Sequence, residues 1–279
     1  MTETGAIRGF GWKRDRLDWR DHQLTPHPEI VRRVALPARC DLRGPFMPPV
    51  YDQGQIGSCV CNASVAAVDF ERKKQGEAFL LPSRLWLYYV IRQIEGTPAY
   101  DDAGCEIRDA IKVLNRVGVP PETDWPYDVS RFMQAPPTSA YADAGEHKTL
   151  LYSRVTQAEY FLKHCLAILG SPILFGISCF SALESDSVAS NGALPMPSAG
   201  EAPLGGHAIM LVGYDDASKR FFWRNSWGDN WGNQGYGTIP YAYVTNPDLA
   251  SDFWTILSVC LPSSWPIGRW PPLPGSGWA

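Results

Sequence analysis

An amide side chain and a thiol lie six residues apart in the sequence Gln53-Gly54-Gln55-Ile56-Gly57-Ser58-Cys59. The apolar run that follows, residues 60–70, predicts a buried helix. A thiol at a helix N-terminus lies near unpaired N–H groups, whose partial positive charge favours the nucleophilic thiolate. A single cysteine at a tight turn can also be an inert buried residue, so this segment alone leaves both interpretations open.

Two later segments carry further polar residues of interest. His207 opens the apolar run Gly205-Gly206-His207-Ala208-Ile209-Met210-Leu211-Val212-Gly213-Tyr214. Asn225 lies in Trp223-Arg224-Asn225-Ser226-Trp227-Gly228-Asp229-Asn230-Trp231-Gly232. Alone, such a histidine is more often structural and such an asparagine is a turn residue. Together with Cys59 they give the chain order Cys, His, Asn, which is one form of the nucleophile–base–orienter triad.

All three segments resemble the papain-like cysteine peptidase family, in its bacterial form. The resemblance rests on Gln53-Gly54 with Gly57-Ser58-Cys59, on His207-Ala208 before Val212-Gly213-Tyr214, and on Asn225-Ser226-Trp227-Gly228 before Trp231-Gly232 and Gly235-Tyr236. It covers roughly residues 36–261. It implies a two-lobed α+β fold, with a helical lobe, a β-barrel or sheet lobe, and an active-site cleft between them.

The resemblance also implies roles for individual residues. It makes Cys59 the nucleophile, His207 its partner, Asn225 the residue that orients the imidazole, and Gln53 an oxyanion donor together with the Cys59 backbone N–H. Substrate contacts are implied at Gly104, Cys105, Ile107, Gly176, Gly205, Gly206 and Trp227. Trp227 either shields the His–Asn pair from water or simply fills the core. The glycines at 176 and 205 predict a roomy apolar pocket.

The bulk composition narrows the class of protein. The chain has 279 residues, 45% of them hydrophobic, and a net charge of −4, which argues against disorder and against a nucleic-acid partner. No apolar run is long enough to span a bilayer, and residues 1–19 do not resemble a secretory signal. We therefore expect a monomer that acts on a peptide or protein substrate without membrane contact. The expected compartment is the cytoplasm, with leaderless secretion as the alternative.

Seven cysteines leave at least one thiol unpaired within the chain. The pair Cys59 and Cys61 has no second pair at zinc spacing, so neither a metal nor another cofactor is expected. By the resemblance, Ile56 and Asp102 stand where relatives carry a disulfide, which favours a reducing compartment. The six cysteines other than Cys59 are interpreted mostly as small buried apolar residues.

The chain divides into three parts. Residues 1–35 form an N-terminal extension, residues 36–261 the catalytic domain, and residues 262–279 a tail rich in Pro and Trp. Within the domain, the helical lobe covers about 50–145 and the β lobe about 146–261 with 36–49. Helices are predicted from 60 to near Gly76, over 84–93 after Ser83, over 107–117 before Gly118, and after a capping box at 156–159. Strands are predicted at 173–180, 207–214, 220–225, 236–239 and 253–261, with loops at 120–144 and 181–203.

Two questions stay open at this level. The N-terminal extension either crosses the cleft as a latch, with Phe10 and Trp12 as anchors, or packs elsewhere. The chain itself is interpreted as an active peptidase. The alternatives are a catalytically silent binding protein on the same fold and an enzyme of another thiol acyl-transfer class, such as deamidation or transamidation.

Overall fold

A computed structural model of the protein describes residues 9–16, 18–24 and 34–259. In this part of the chain the α-helices are Cys59–Lys74 (α1), Arg84–Ile94 (α2), Ile107–Arg116 (α3), Thr138–Ala144 (α4), Glu159–Ala167 (α5), Asp186–Asn191 (α6) and Tyr241–Val244 (α7). The β-strands are Trp12–Lys13 (β1), Gln23–Leu24 (β2), Arg39–Asp41 (β3), Cys105–Glu106 (β4), Thr149–Val155 (β5), Ile173–Cys179 (β6), Gly205–Asp215 (β7), Arg220–Arg224 (β8), Tyr236–Pro240 (β9) and Ala250–Val259 (β10).

The β lobe is built on one large sheet. Its strand order is β2-β5-β10-β6-β7-β8-β9, and β3 pairs with the free part of β7. Neighbouring strands are antiparallel except β2, which runs parallel to β5. A separate two-stranded pair joins β1 in parallel to β4, so the N-terminal part of the chain adds a strand beside the helical lobe.

The sheet separates two hydrophobic cores. Because successive side chains of a strand point to opposite faces, β7 contributes alternately to both. One face shares a core with helices α1, α2 and α3, to which β7 gives Ala208, Met210 and Val212. The other face forms a second core with α5 and α7, to which β7 gives Ile209 and Leu211. The papain-like α+β fold implied by the sequence is confirmed.

Several local signals in the sequence act as predicted. The Ser83 hydroxyl accepts a hydrogen bond from the Trp86 backbone N–H at 3.2 Å and so caps α2. Gly118, at φ +95°, ends α3 by donating to the Val113 carbonyl. Gly76 has φ +92° and follows the end of α1. Glycine fits these positions because a left-handed backbone costs it nothing.

The capping-box prediction is wrong. Helix α5 begins at Glu159 with Ala158 as its N-cap, and no side chain caps it. The Gln157 side chain instead donates to the carbonyls of Val244 at 2.9 Å and Ala250 at 2.8 Å, which ties this turn to the end of α7 and the start of β10, the neighbour of β5. A tertiary contact therefore holds the turn in place of the local capping box.

Two helices lie in segments that were predicted to be loops, and one strand lies in a segment for which no element was predicted. Helix α4 follows directly after Pro137 inside the predicted loop 120–144, and α6 lies inside the predicted insertion 181–203. Strand β5 was missed, although it pairs with β10 over most of its length. No helix within the described ranges is long and apolar enough to cross a membrane. The predicted tail at 262–279 and Cys260 lie outside the described residues, and the domain boundaries remain predictions.

Candidate active site

Cys59 is the first residue of α1 and its side chain is fully buried. Its sulfur accepts a hydrogen bond from the backbone N–H of Ala208 on β7 at 3.4 Å. The N-terminus of the helix therefore meets the central strand of the sheet at this point. The fold thus brings Cys59 beside His207, the neighbour of Ala208 in the chain.

His207 and Asn225 lie together, as the sequence predicted. His207 Nε2 and Asn225 Oδ1 are 2.8 Å apart, and both residues are buried. The indole of Trp227 stacks on the imidazole, with ring centroids 4.8 Å apart and an interplanar angle of 29°. Trp227 also belongs to the second core and packs edge-on against Trp231. Trp227 thus lies against the imidazole and is also part of the second core, the two positions that the alternative interpretations required.

The Gln53 side chain is held at both ends of its amide. Its Oε1 accepts a hydrogen bond from the Ser226 hydroxyl at 2.7 Å, which leaves the NH₂ group to act as the donor. Nε2 donates to the Ile56 carbonyl at 3.0 Å and to the Gly9 carbonyl, also at 3.0 Å. The Tyr127 hydroxyl donates to the Gln53 backbone carbonyl at 2.8 Å and braces the turn.

Residues 9–16, which we call the N-terminal segment, run across this constellation. Gly9 contributes the carbonyl that meets Gln53. The Phe10 ring lies edge-on to the His207 imidazole, with centroids 6.3 Å apart. The Gly11 carbonyl accepts from the Cys105 backbone N–H at 2.8 Å, and Trp12 then pairs with Cys105 in the parallel β1–β4 ladder.

Glycines make the close approach of the segment possible. A Cβ at Gly104 would lie 2.1 Å from the Gly11 carbonyl oxygen, and a Cβ on Gly11 would lie 1.8 Å from the Gly57 carbonyl oxygen. Any larger residue at these positions would push the segment away from the cleft. The predicted contact residues Gly104, Cys105, Gly176, Gly205 and Gly206 all touch the N-terminal segment.

Asp15 anchors the end of the segment in the interior. Its carboxylate accepts from Arg154 Nη2 at 2.6 Å, from the Trp254 indole N–H at 2.9 Å and from the Arg108 backbone N–H at 3.2 Å. Its own backbone N–H donates to Asp252 Oδ2 at 2.7 Å. The Asp15 side chain is 0% exposed, so this contact is fully removed from water.

Asp21 extends the same anchor. It accepts from Arg108 Nη2 at 2.8 Å and from Arg154 Nε at 2.7 Å. Three carboxylates and two guanidinium groups thus form one carboxylate–arginine cluster, made of Asp15, Asp21, Arg108, Arg154 and Asp252. Since α3, β5 and β10 each contribute a residue, the cluster fixes the N-terminal residues to both lobes.

The pKa values of two carboxyl groups in this cluster are shifted in opposite directions. Desolvation, followed by the nearby Asp252 charge, raises the pKa of Asp15 from 3.8 to about 7. For Asp21, burial opposes ionisation, but hydrogen bonds from Arg108 and Arg154 outweigh it and lower the pKa. The two groups therefore respond to different ranges of pH.

The electrostatics at Cys59 differ from the sequence prediction. Burial raises the pKa of its thiol from 9.0 to about 12, although backbone N–H groups of Ala208 and Gly11 oppose the rise. The helix terminus alone had indicated a thiolate. With the N-terminal segment packed over the sulfur no water reaches it, and in this closed arrangement the neutral thiol is favoured.

Hydrogen bonds link the loop at Gly57 to the loop at Asp102, beside the two positions where the resemblance implies a disulfide in relatives. The Asp102 carboxylate accepts from the Gly57 backbone N–H at 3.0 Å and from the Tyr88 hydroxyl at 2.5 Å. The Tyr88 oxygen in turn accepts from the Gly104 N–H at 3.1 Å. The described cysteines other than Cys59 are all free thiols, and Cys61, Cys105, Cys165 and Cys179 are buried, as predicted.

Two predicted contact residues lie deeper than the rest. Ile107 is completely buried at the start of α3 and belongs to the first core, and Trp227 packs beneath His207. Their substrate contacts stay predictions. Among the residues with described coordinates, no group of three His, Cys, Asp or Glu side chains is arranged to hold a metal ion.

Sequence reasoning missed Ser226 and Asp252. Ser226 follows Asn225 directly within the third segment, so its place in the motif was a signal for a role near Gln53. Asp252 lies in an apolar strand at φ +60°, a backbone state that aspartate and asparagine tolerate better than most residues. No sequence pattern indicated that its carboxylate would meet the N-terminal segment.

Comparisons with known proteins agree with this geometry. A family model described as papain family cysteine protease matches residues 36–252. An uncharacterized peptidase C1-like protein of Acanthamoeba polyphaga mimivirus is 36% identical over 283 residues, covering 94% of this chain and 91% of the viral protein. Cathepsin K of Gallus gallus is 30% identical over 207 residues, covering 72% of this chain and 58% of cathepsin K.

Solved structures give the same picture. The crystal structure of xylellain, a cysteine protease from Xylella fastidiosa, has a TM-score of 0.82 and 41% identity, covering 93% of this chain and 100% of xylellain. Digestive procathepsin L2 from Tenebrio molitor larval midgut has a TM-score of 0.66 and 21% identity, covering 93% of this chain and 79% of that protein. The second similarity concerns the fold alone. The first agrees with the bacterial form of the resemblance.

Proposed function

This chain belongs to the papain family of cysteine proteases, and on that premise we propose that it hydrolyses peptide bonds through Cys59, His207 and Asn225, with Gln53 as an oxyanion donor. The observation that carries the proposal is the joint placement of these side chains. The Cys59 sulfur lies against the N–H of Ala208, the residue after His207, and the imidazole is held by Asn225 at 2.8 Å.

The first half of the reaction forms an acyl-enzyme. Once the cleft is open, the Cys59 thiol gives its proton to His207 Nδ1, and the resulting thiolate attacks the carbonyl carbon. A sulfur–carbon bond forms and the π electron pair of the carbonyl moves to oxygen. The Gln53 NH₂ and the Cys59 backbone N–H stabilise that oxyanion, since a first-turn helical N–H has no acceptor within its helix. The imidazolium of His207 then gives its proton to the leaving amine as the carbon–nitrogen bond breaks, and a thioester remains.

The second half returns the free enzyme. His207 accepts a proton from water as the water oxygen attacks the thioester, and the carbon–sulfur bond breaks to release the carboxylic acid and the Cys59 thiolate. Asn225 accepts the N–H at Nε2, which leaves Nδ1 as the ring nitrogen that exchanges the proton. Trp227 excludes water from this hydrogen bond, which strengthens it.

The N-terminal segment supports a further part of the proposal, that the chain is made in a self-inhibited form. Gly9 satisfies the donor that the oxyanion would use, and the segment leaves the Cys59 sulfur fully buried. A substrate carbonyl and the Gly9 carbonyl compete for the same N–H group. The segment must therefore move away from the cleft before a peptide reaches Cys59.

Two other functions are less well supported. A silent binding protein would not need the Ser226–Gln53 and Asn225–His207 hydrogen bonds, which orient groups for chemistry. Another thiol acyl-transfer enzyme would share the triad, but the sequence Asn225-Ser226-Trp227-Gly228 favours the peptidase. Deamidation or transamidation would release ammonia from an amide side chain, whereas a peptidase releases a new amino terminus.

The experiment uses the full-length chain with Trp12→Ala and Asp15→Ala, substitutions that remove an anchor and a buried hydrogen-bond acceptor of the N-terminal segment. We call this protein the opened variant. It is expected to cleave fluorogenic peptides and to release new amino termini from an unfolded protein. A labelled thiol-directed epoxide should block that cleavage at one equivalent per active chain. Stoichiometric labelling without any peptide cleavage would contradict the proposal, and ammonia release from glutamine substrates would favour the acyl-transfer alternative.

A further inference from the structure

Trp12 of the N-terminal segment fills a slot beside the proposed active site. Two glycines form the wall of this slot. A Cβ on Gly176 would lie 1.9 Å from Cε2 of the Trp12 indole, and a Cβ on Gly206 would lie 2.6 Å from its Cε3. The indole therefore lies flat against the backbone of β6 and β7, and alanine at either glycine would intersect the ring.

The far edge of the slot carries a hydrogen-bond acceptor. The indole N–H of Trp12 donates to Asp252 Oδ2 at 3.2 Å. The same oxygen accepts the Asp15 backbone N–H at 2.7 Å. Asp252 is only 5% exposed, so its carboxylate depends on these donors in place of water. A slot with an apolar flat wall and one acceptor at its edge suits a planar side chain that carries an N–H.

Departure of the N-terminal segment frees this acceptor. Both donors to Asp252 Oδ2, from Trp12 and from Asp15, leave with the segment. Arg154 remains a charged neighbour, with its Nη1 3.7 Å from Asp252 Oδ1, and Glu106 also lies within electrostatic range of Asp252. The freed oxygen can accept a new N–H that a ligand supplies in the same place, and a ligand ring that fills the slot removes this hydrogen bond from water again.

The charged groups beside the open slot favour an indole over a cationic side chain of the substrate. In the open protein, Arg154 keeps Asp252 at 3.7 Å and Arg108 keeps Glu106 at 3.9 Å. The two carboxylates beside the slot therefore each retain a guanidinium partner. A lysine or arginine side chain would have to compete with a cation already in place, whereas the neutral indole needs only the acceptor.

Resting on the proposed peptidase function, we propose that Asp252 is a specificity-determining residue and that the slot selects a tryptophan side chain of the substrate, the chemistry that Trp12 supplies in the closed protein. The glycine wall accounts for the fit of a wide planar ring. The carboxylate accounts for discrimination between an indole and a ring of the same shape without an N–H.

The test compares peptides that differ in that single N–H group. In the opened variant, tryptophan or 3-benzothienylalanine, which replaces the indole N–H by sulfur, is placed in turn at each of three positions before the cleaved bond. At the position that enters the slot, tryptophan is expected to give a kcat/KM about tenfold higher, as for one hydrogen bond to a charged group. Arginine there should give a lower kcat/KM than tryptophan.

Variants at Asp252 assign the effect to its carboxylate. Asp252→Gly in the opened variant removes the acceptor and tolerates φ +60°, so the preference should fall to about one. Asp252→Asn keeps a neutral acceptor and the same backbone conformation, and should therefore retain part of the preference for tryptophan. Asp248→Gly, which removes an exposed carboxylate nearby, is the matched control and should keep the full preference.

The outcomes separate this inference from the function on which it rests. Equal rates for the two aromatic peptides at all three positions, or a preference that survives Asp252→Gly, would overturn the role of Asp252 while leaving the peptidase intact. A higher rate with arginine than with tryptophan would overturn the argument from charge. No cleavage of any peptide by a folded opened variant would contradict the peptidase and the inference together.

Discussion

The backbone carbonyl oxygen of Gly9 accepts a hydrogen bond from Gln53 Nε2 at 3.0 Å. Gln53 is fully buried, and its amide is oriented by the Ser226 hydroxyl, so the NH₂ group has little freedom to turn elsewhere. The chain thus presents one of its own carbonyl groups to the donor that we assign to the oxyanion. This contact links the catalytic proposal to the proposal of self-inhibition, because the same group serves both.

Gln53→Ala tests the oxyanion role. In the opened variant we expect kcat/KM for a small peptide to fall by about two to three orders of magnitude, the usual effect of losing one such donor. Gln55→Ala, an exposed glutamine two residues away, is the control and should cleave like its parent. Ser226→Ala should lower kcat less than Gln53→Ala, and Ser226→Thr should restore it. Cleavage by Gln53→Ala at the parent rate would exclude the role.

Asn225→Ala is expected to lower both activity and stability. It removes the acceptor that lies 2.8 Å from His207 Nε2 in a buried site, which should cost about 1–3 kcal/mol of the free energy of unfolding. Urea denaturation and peptide kinetics measure the two effects. Asn230→Ala, at an exposed position in the same loop, should change neither. A variant with full activity and unchanged stability would show that Asn225 does not hold the imidazole.

Weakening the N-terminal segment should activate the full-length protein. Trp12→Ala and Asp15→Ala are each expected to raise kcat/KM for small peptides and to speed alkylation of Cys59, because each removes buried hydrogen bonds of the segment. Arg16→Ala, at an exposed position of the same segment, is the control. Equal alkylation rates in the parent chain and the three variants would show that these contacts of the segment do not protect Cys59.

Deletion of residues 1–35 is expected to lower the stability of the protein. It would remove Asp21 from Arg108 and Arg154 and Asp15 from Arg154, and with these ion pairs the buried hydrogen bonds of the N-terminal residues. The truncated protein should therefore unfold at a lower temperature than the full chain. An unchanged unfolding temperature would show that the cluster adds nothing to stability.

The segment should bind more weakly as the pH rises. Because the docked pKa of Asp15, about 7, is above its ordinary 3.8, the docked state holds the proton more tightly. That stabilisation is complete below about pH 4 and is lost as the pH rises to about 7. Asp252, whose pKa is also raised, acts in the same direction, while the lowered pKa of Asp21 confines its effect to more acidic solutions.

Hydrogen exchange checks this pH dependence. Amides of residues 9–15 should exchange faster at pH 8 than at pH 5, after correction for the intrinsic pH dependence of exchange. Asp15→Asn should remove most of the difference. Slower exchange at pH 8 than at pH 5 would contradict the predicted sign of the effect. The same difference between the two pH values in Asp15→Asn would show that Asp15 is not its source.

The sequence was sufficient for the fold and for the placement of the four central site residues. Cys59, His207, Asn225 and Gln53 lie in short segments whose local structure, a helix start, a strand and a tight loop, fixes where each side chain points. The capping box failed because the helix begins only at Glu159, whose carboxylate pairs with Lys163, while Gln157 bonds to residues more than eighty positions away in the chain. The carboxylate–arginine cluster could not be predicted either, since Asp15 and Asp252 meet only through tertiary folding.

The raised pKa of Cys59 could not be predicted from the sequence either, because it also depends on tertiary folding. The helix terminus, which is local in sequence, indicates a thiolate, whereas burial under the N-terminal segment comes from residues almost fifty positions upstream. Local electrostatics and tertiary burial act in opposite directions here. In the closed protein burial has the larger effect, and we expect the helix terminus and His207 to dominate once the segment leaves.

Site mapping of alkylation tests the central claim most directly. The opened variant is treated with a limiting amount of a thiol-directed epoxide, and the modified peptide is identified by mass spectrometry. We predict that Cys59 is modified faster than the other six cysteines, that its modification parallels the loss of peptide cleavage, and that Cys59→Ala folds normally but cleaves nothing. Fast modification of another cysteine together with cleavage by Cys59→Ala would contradict the account.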